Sequence, residues 1–421
     1  MNSKKEGLIR FITAGSVDDG KSTLIGRLLF DSKSILADQL SLISKAKNSR
    51  SNIDGIDLAF LTDGLESERE QGITIDVAYR YFSTKNKKFI IADCPGHEQY
   101  TRNMVTGASN ADSAIFLVDA TQVIDGNLLI QTKRHTLIAC ILRIPNFILA
   151  VNKMDLVDYD EKIFREIISS FDKLLNAVGM RKQFSGVPIS ALYGDNIVTK
   201  SSRMPWYKGN TLLDSLENNV NKRINSKHLR LPIQLSMRWD GEKKIDQRAY
   251  CGKVDSGQIN VNQTIKIWPS NQNAKIIKIT YLGSKVSQAH SGQCVTIWLD
   301  KDLDITRGDV IVSTNEFPNL SKEFKAEIAW LDVVNLNSSR KYRLRQATRE
   351  TQVKVHVIDK LNLSSLRREP TETLSMNEIG KSVINSAQPV LKDNYEFFPN
   401  TGCFILIDET THQTCAAGMI C

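Results

Sequence analysis

GSVDDGKS, at residues 15–22, lies between the apolar run Leu8–Ala14 and the helix-like segment Ser22–Leu29. It fits the pattern Gly-x-x-x-x-Gly-Lys-Ser, in which glycines let backbone N–H groups approach phosphates and the helix N-terminus adds partial positive charge. Lys21 can reach the β and γ phosphates, and Ser22 offers a hydroxyl group to Mg²⁺. The predicted phosphate loop consists of Gly15, Ser16, Val17, Asp18, Asp19, Gly20, Lys21 and Ser22.

The first 222 residues alternate short apolar runs with longer amphipathic segments. The apolar runs are Leu8–Ala14, Phe89–Ala92, Ala114–Val118, Phe147–Val151 and Val187–Ile189, and the helix-like segments include Ser22–Leu29, Gln131–Leu142 and Glu161–Ala177. Continuous apolar runs are typical of strands that are buried on both faces. Strand and helix in alternation therefore predict a parallel sheet with helices on both sides.

A second motif, DCPGH, follows one of these strands and consists of Asp93, Cys94, Pro95, Gly96 and His97. An acid at the carboxyl end of a parallel strand points into the crevice where ligands bind. Asp93 can hold Mg²⁺ through water, and the Gly96 N–H can contact the γ-phosphate. His97 comes next, where a group that orients the attacking water is needed. A lone histidine is more often structural, but its place in the motif favours a hydrolytic role.

Thr74 is the candidate for a second hydroxyl ligand of Mg²⁺. Taken alone, it fits equally well as a β-branched residue that enters a strand, and the neighbouring motifs favour the metal role. It follows the long polar stretch Ser44–Arg69. Such a stretch is expected of a loop that becomes ordered only when the γ-phosphate is present.

The nucleotide base is predicted from NKMD, which comprises Asn152, Lys153, Met154 and Asp155 and directly follows the strand Phe147–Val151. The carboxylate of Asp155 accepts two hydrogen bonds from guanine N1 and N2, which adenine cannot supply. Ser190, Ala191 and Leu192 follow another strand, and their backbone N–H groups can support the same base. The sequence therefore predicts GTP, with Mg²⁺, as the ligand.

Composition sets the broad class. The 421 residues are 41% hydrophobic and 24% charged, which is typical of a globular protein of several domains. No apolar run reaches the roughly 20 residues of a membrane-spanning helix, and the polar N-terminus does not fit a signal peptide, so a cytoplasmic protein is expected. Seven scattered cysteines argue against a disulfide framework and a zinc site. A net charge of +8 is typical of a solvated surface, although it permits an acidic partner.

The sequence pattern changes after residue 222. A polar linker, Asn221–His228, precedes short β-branched runs that are separated by turn residues, and a second break is expected at Glu316–Lys322. The turn signals are Ser256–Gly257, Pro269–Asn273, Ser291–Gly292 and Arg307–Asp309, and the last β-rich block ends in Gly402–Ile407 and Cys415–Ile420. This spacing predicts small β-barrels. We therefore expect an α/β P-loop GTPase domain, residues 1–222, followed by two β-barrel domains, residues 229–316 and 322–421.

These motifs, in this order and with two predicted barrels behind them, resemble the elongation-factor-like branch of GTPases. Within that branch the chain resembles the large subunit of bacterial sulfate adenylyltransferase, the CysN type. The stretches that carry the resemblance are residues 16–28 (SVDDGKSTLIGRL), 61–81 (LTDGLESEREQGITIDVAYRY), 94–104 (CPGHEQYTRNM), 190–196 (SALYGDN), 204–213 (MPWYKGNTLL), 304–310 (DITRGDV) and 400–407 (NTGCFILI).

The resemblance implies a function that the motif chemistry does not show. Such a subunit couples GTP hydrolysis to a partner, the small catalytic subunit of the CysD type, in a heterodimer or higher oligomer. The partner joins ATP and sulfate into adenosine 5′-phosphosulfate and pyrophosphate. Two features depart from the family pattern: residues 119–129 form a longer connection, and Cys94 stands where threonine is expected.

Two other functions share the same nucleotide motifs. One is a translation elongation factor that carries aminoacyl-tRNA, supported by the basic cluster Arg340, Lys341, Arg343, Arg345 and Arg349. However, the basic side chains alternate with Tyr342 and Leu344, which favours one solvated and one buried face of a strand. The other is a regulatory GTPase that acts on a ribosome or a scaffold.

Overall fold

The computed structural model of the chain describes residues 7–32, 74–123, 127–178, 183–219, 227–240, 246–316 and 318–421. Several predicted features fall wholly or partly outside these residues. They are the polar loop Ser44–Arg69, residues 61–73 of the quoted stretch 61–81, residues 124–126 of the longer connection, residues 221–226 of the predicted linker, and residue 317 of the predicted break Glu316–Lys322.

The chain divides into two compact units, residues 1–222 with 362–367 and residues 223–361 with 368–421. The first unit contains a six-stranded sheet in the order β2-β3-β1-β4-β5-β6. Its strands are β1 Gly7–Ala14, β2 Ala78–Ser83, β3 Lys87–Asp93, β4 Ser113–Asp119, β5 Asn146–Asn152 and β6 Phe184–Pro188. The pairings among β1, β3, β4, β5 and β6 are parallel, as predicted.

Strand β2 corrects the prediction of a purely parallel sheet, because it runs antiparallel to β3 at the edge. Only residues 84–86 connect the two strands. A parallel crossover needs about a dozen residues or more, so a short connection forces an antiparallel pair. The sequence pattern missed this strand because its side chains alternate between exposure and partial burial, with Tyr79 and Tyr81 exposed.

Five helices are described in this unit: α1 Lys21–Asp31, α2 Thr101–Ala108, α3 Ile130–Ile141, α4 Glu161–Ala177 and α5 Leu212–Asn218. Short 3₁₀ turns lie at Glu98–Tyr100 and Met154–Val157. Helix α4 begins at its predicted residue because the Asp160 carboxylate accepts the Lys162 N–H at the helix N-terminus. Helix α2 was not predicted from the sequence.

The sheet core brings the predicted motifs to one edge. All seven side chains of β4 are buried, and Phe11 of β1 packs against Phe82 and Phe89. The register places Thr13 beside Asp93 and Asp119 beside Asn152. Because parallel strands end at the same side, the loops that follow them meet at the carboxyl edge of the sheet.

The second unit contains two closed six-stranded barrels, as predicted. In the first barrel the order β10-β15-β7-β8-β14-β11 is closed by pairing of β10 with β11. Its elements are β7 Leu231–Asp240, β8 Asp246–Lys253, β9 Gln258–Asn260, β10 Thr264–Trp268, β11 Gln272–Tyr281, β12 Ser284–Val286, β13 Gln288–His290, β14 Cys294–Leu299 and β15 Val310–Ser313. Gly257, Gly292 and Gly308 have positive φ angles at three of the predicted turns.

In the second barrel the order β17-β21-β22-β16-β20-β18 is closed by pairing of β17 with β18. Its elements are β16 Leu320–Trp330, β17 Tyr342–Gln346, β18 Arg349–Leu361, β19 Arg368–Pro370, β20 Ile379–Leu391, β21 Cys403–Asp408 and β22 Thr414–Ile420. Strand β16 already begins inside the predicted break Glu316–Lys322. The exact domain boundaries stay a prediction.

No helix among the described residues is long and apolar enough to cross a membrane.

A buried charge cluster joins the two barrels within the second unit. The Arg230 guanidinium donates to both carboxylate oxygens of Asp393 (2.9 and 3.0 Å) and to Glu316 (2.7 Å). Arg230 and Asp393 are each about 5% exposed, and the Phe398 ring lies over the guanidinium. The Thr401 hydroxyl also donates to Asp393 (2.6 Å). Because the guanidinium and the carboxylate are joined by two parallel hydrogen bonds, their relative orientation is fixed as well as their distance.

We expect Arg230→Met to lower the free energy of unfolding of the barrel unit by about 3–5 kcal/mol, because it leaves two carboxylates in a buried site without their cation. Urea unfolding of the full chain measures this change. Arg248→Met is the matched control, since Arg248 pairs with the exposed Asp302 and Asp304 and should matter far less. Equal losses in the two variants would contradict a stabilising role for the buried cluster.

Candidate functional site

The predicted phosphate loop connects the end of β1 to the start of α1. Gly20 has a φ angle of +89°, and a Cβ atom built on it would stand 2.4 Å from Asn152 Nδ2. Any other residue would be strained there and would collide with the base-recognition loop. Asp18 also has a positive φ angle (+65°) and is exposed, and Val17 is half-buried.

Lys21 and Gly96 bring the first two motifs together. The Lys21 ammonium group donates to the carbonyl oxygens of Ser16 (2.6 Å) and Gly15 (3.3 Å). A Cβ atom on Gly96 would lie 2.4 Å from Lys21 Nζ and 3.0 Å from the Ser16 carbonyl. Glycine at residue 96 therefore lets the backbone of the second motif approach the phosphate loop.

The loop carries buried charges of both signs. Burial lowers the pKa of Lys21, although the nearby carboxylates of Asp19 and Asp93 oppose that shift. Burial raises the pKa of Asp19 to about 6, and Lys21 and the Ser16 N–H partly offset the rise. Asp19 Oδ1 is buried and has no hydrogen-bond partner among the described residues. The loop thus holds one buried carboxylate oxygen, Asp19 Oδ1, whose hydrogen bonding is incomplete.

Asp93, Cys94 and Pro95 are buried at the end of β3. The Thr13 hydroxyl donates to Asp93 Oδ1 (3.0 Å), which fixes the carboxylate. Burial raises the pKa of the Cys94 thiol. The thiol lies against α2, where a Cβ atom on Gly107 would be 3.0 Å from the sulfur. Cys94 is therefore a packing residue, and its replacement of the expected threonine leaves the motif in place.

The predicted magnesium ligands supply the right chemistry. Ser22 is the second residue of α1 and half-buried, Asp93 is 2% exposed, and Thr74 is half-buried. Hydroxyl and carboxylate oxygens are the donors that Mg²⁺ prefers, so the set fits this ion. The Ile75 carbonyl, next to Thr74, accepts from Asn103 of α2 (2.9 Å), which tethers this segment.

His97, the predicted hydrolytic residue, is exposed just before the 3₁₀ turn Glu98–Tyr100. Its ring centroid is 6.2 Å from that of Tyr100, edge to face. It directly follows Gly96, which lies against Lys21. The imidazole is accessible to water beside the phosphate loop, and its part in hydrolysis stays a prediction.

Asn152 connects the phosphate loop to both base-recognition motifs. Its Nδ2 donates to the Asp19 carbonyl (2.8 Å), and its Oδ1 accepts the Ala191 N–H (2.9 Å). Asn152 is 2% exposed. One buried amide thus uses both ends to hold three segments that lie far apart in the sequence.

The rest of the NKMD motif lies in a tight backbone turn. Lys153 has a φ angle of +62°, and its ammonium group donates to Asp119 Oδ2 (2.7 Å). Burial would raise the pKa of Asp119, but hydrogen bonds from Lys153 and Thr121 lower it below its ordinary value. Met154 is buried, and the Asp155 side chain is half-buried in the 3₁₀ turn that follows.

The Ser190–Leu192 segment is held in place from α1. Arg27 donates to the carbonyl oxygens of Ala191 and Leu192, while the Ser190 hydroxyl accepts the Tyr193 N–H (3.3 Å). Ser190 and Ala191 are buried and Leu192 is half-buried. The N–H groups of Ser190 and Ala191 donate to the Asp195 carbonyl (3.4 Å) and to Asn152 Oδ1 (2.9 Å). These two groups therefore hold the segment in place, and the predicted support of the base by backbone N–H groups passes to Leu192.

Sequence reasoning missed three residues that shape the site: Asp119, Arg27 and His135. Asp119 ends the buried strand β4, so the rule that singled out Asp93 would also have found it. Arg27 and His135 lie on helices and belong to no motif pattern. Only the fold brings them to the loops, which they contact at Leu192 and Gly15.

Comparison with known proteins agrees with this geometry. Residues 6–222 match the family described as Elongation factor Tu GTP binding domain, and residues 323–421 match GTP-eEF1A C-terminal domain-like. Sulfate adenylyltransferase subunit 1 of Aliarcobacter butzleri (strain RM4018) is 44% identical over 416 residues, covering 98% of this chain and 87% of the relative. The protein of the same name from Bacteroides fragilis (strain YCH46) is 42% identical over 420 residues, covering 99% and 86%.

Both the identity and the coverage extend through the P-loop domain and the two barrels. The chain therefore belongs to the family of sulfate adenylyltransferase subunit 1 and carries a GTP-binding domain of the elongation factor Tu type.

Proposed function

We propose that this chain is the GTPase subunit of a sulfate adenylyltransferase, in which GTP hydrolysis drives formation of adenosine 5′-phosphosulfate and pyrophosphate by a partner catalytic subunit. Two observations together support the proposal. The chain is 44% identical, over 98% of its length, to a protein named sulfate adenylyltransferase subunit 1. In addition, Asn152 connects the predicted phosphate loop to the segment predicted to bind guanine.

For the phosphate side, backbone N–H groups of residues 15–22 and the N-terminus of α1 bind the phosphate oxygens. The Lys21 ammonium group moves from the loop carbonyls to the β and γ phosphates. Ser22, Thr74 and Asp93 would hold Mg²⁺, which when bound would neutralise charge on the phosphates. His97 orients the attacking water. Positioning and charge stabilisation supply most of the rate in such reactions.

For the base, the Asp155 carboxylate accepts the guanine N1 and N2 hydrogens. Adenine lacks this donor pair and would leave the acid unpaired. Lys153 supports the base loop through its ion pair with Asp119, whose carboxylate side chain is nearly inaccessible to water. The Ser190–Leu192 segment, held by Arg27, completes the base site.

The coupling itself requires a second chain. Formation of a mixed phosphate–sulfate anhydride is uphill, so a second hydrolysis is needed to pull it forward. GTP hydrolysis can drive the reaction of a partner only if the GTP-bound and GDP-bound states of this chain bind that partner with different affinities. We infer that the small subunit, of the CysD type, carries the adenylyl-transfer residues.

A carrier of aminoacyl-tRNA is the less favoured function. The basic cluster that supported it lies on and beside β17, whose side chains alternate between Tyr342 and Leu344 inside and arginines outside. Arg345 pairs with Glu350 (2.6 Å) and Arg340 with Asp408 (3.4 Å). Acidic partners thus neutralise two of the charges that a nucleic-acid phosphate would have to meet.

The function is tested by purifying the chain together with its small subunit and measuring sulfate-dependent pyrophosphate release from ATP. We expect added GTP to accelerate release, while a nonhydrolysable GTP analogue should not sustain the effect. GTP-dependent retention of charged tRNA, with no effect on sulfate activation, would favour the carrier instead.

Asp155→Asn should weaken GTP binding by at least about 100-fold, because two hydrogen bonds to a charged acceptor are lost. The same variant should prefer xanthosine triphosphate, whose base presents an oxygen to the new amide. Competition with labelled nucleotide measures both effects. Asp158→Asn, an exposed neighbour in the same loop, is the control. If Asp155→Asn kept full GTP affinity, Asp155 would not be the base-recognition residue.

His97→Ala should lower the rate of GTP hydrolysis by about 100-fold, at the lower end of what a positioned polar group contributes. Nucleotide affinity should stay nearly unchanged, since the ring is exposed and its described ring contact is with Tyr100. Single-turnover hydrolysis and equilibrium binding separate the two. The exposed His290 of the first barrel gives the control variant His290→Ala. An unchanged rate would remove His97 from the mechanism.

A further inference from the structure

His135, at the middle of α3, is a buried titratable residue that the proposed mechanism does not use. It is 0% exposed. Its Nδ1 accepts the backbone N–H of Gly15 (3.3 Å), the first residue of the phosphate loop, across 120 positions of sequence. A buried histidine with a purely structural role needs a hydrogen-bond partner, but that partner can lie anywhere in the core. Here the partner is the backbone of the predicted phosphate loop.

Gly15 is closely surrounded, and its N–H donates to this acceptor. A Cβ atom on Gly15 would lie 2.8 Å from Asp19 Oδ2 and 2.8 Å from the Leu117 carbonyl. Gly15 itself is buried. A buried N–H that loses its acceptor costs the full desolvation of that group, which corresponds to roughly a tenfold change in an equilibrium constant.

The ring is neutral in its buried site. Burial, together with the nearby positive charges of Lys21 and Arg134, lowers the pKa of His135 to about 3. At neutral pH the ring therefore has one acceptor nitrogen and one N–H group, and the contact with Gly15 needs the acceptor at Nδ1. The ring proton is then on Nε2, which lies 2.9 Å from Gln131 Nε2, one turn earlier on α3. Both of these nitrogens donate in that tautomer, so Gln131 is a packing neighbour of the ring and not its hydrogen-bond partner.

Arg134 fixes this amide in turn. Its guanidinium lies 2.6 Å from Gln131 Oε1 and 2.8 Å from Glu98, the residue that follows His97. Arg134 is 8% exposed. The same helix therefore contacts the phosphate loop through one side chain and the segment after His97 through another.

We propose that His135 is a positioning residue of the nucleotide site, which fixes the start of the phosphate loop by accepting the Gly15 N–H. It touches neither the phosphates nor the reacting atoms and acts through the backbone of the loop. This inference rests on the proposed function, because the loop must bind a nucleotide for its position to matter. It predicts that an acceptor at this point, rather than an imidazole, is what binding requires.

Three substitutions separate the acceptor from the bulk of the side chain. His135→Asn places an amide oxygen near the position of Nδ1, since both atoms are bonded to Cγ. His135→Gln extends the amide toward the position of Nε2, away from Gly15. His135→Leu removes both polar atoms. The probe is fluorescently labelled GDP with Mg²⁺, titrated into the purified full chain.

We expect the dissociation constant of labelled GDP to rise roughly tenfold in His135→Leu and His135→Gln. In His135→Asn it should stay within about threefold of the original chain. A purely structural role would rank the variants by size and polarity, and would not single out the asparagine. Thr136→Val is the control on the same helix, because within the described part of the chain the buried Thr136 hydroxyl donates to the Thr132 carbonyl of its own helix. It should bind as the original chain does.

Equal affinities for all three variants would overturn the proposal, as would a failure of His135→Asn to bind better than His135→Gln. That pair decides the matter even if His135→Leu does not fold, which urea unfolding would reveal. Failure of the unsubstituted chain to bind labelled GDP saturably would be a different result, because it would remove the proposed function and this inference with it.

Discussion

A single side-chain amide joins the two halves of the nucleotide site. Asn152 donates to the Asp19 carbonyl and accepts from the Ala191 N–H, at 2.8 and 2.9 Å, inside a site that excludes water. Both of its polar ends are used, so the phosphate loop and the Ser190–Leu192 segment have one allowed spacing. The close approach also explains Gly20, because a side chain there would collide with the amide. If the proposed site residues bind one nucleotide, its base and its phosphates must fit this spacing.

The electrostatics of the site follow from its burial. Lys21, Asp19 and the Lys153–Asp119 pair bring charge to the sheet edge, where water is scarce. Polar groups held in place in such a setting act on a charged ligand more strongly than the same groups in water. Among the described residues of the loop, Asp19 Oδ1 is buried and has no hydrogen-bond partner.

Much of the P-loop domain and its candidate site could be predicted, because each motif occurs next to a recognisable strand or helix. A glycine-rich stretch between a strand and a helix, or an acid after a buried strand, indicates a position at the sheet edge as well as a residue type. The predictions failed for features that depend on how the elements pack in the folded chain. Strand β2 lacks a continuous apolar run, and its antiparallel direction follows from a connection of three residues. Arg27 and His135 lie in helices without any local signal, and the folded sheet alone brings them to the loops.

The central claim is that these separate segments form one guanine-nucleotide site. Calorimetric titration of the purified chain with GDP and with ADP, each with Mg²⁺, tests it most directly. The account predicts saturable binding of one GDP per chain and discrimination against ADP by roughly 10⁴-fold, as expected when the wrong base leaves the acid that recognises guanine unpaired. Comparable affinities for the two nucleotides, or no saturable binding of GDP, would contradict it.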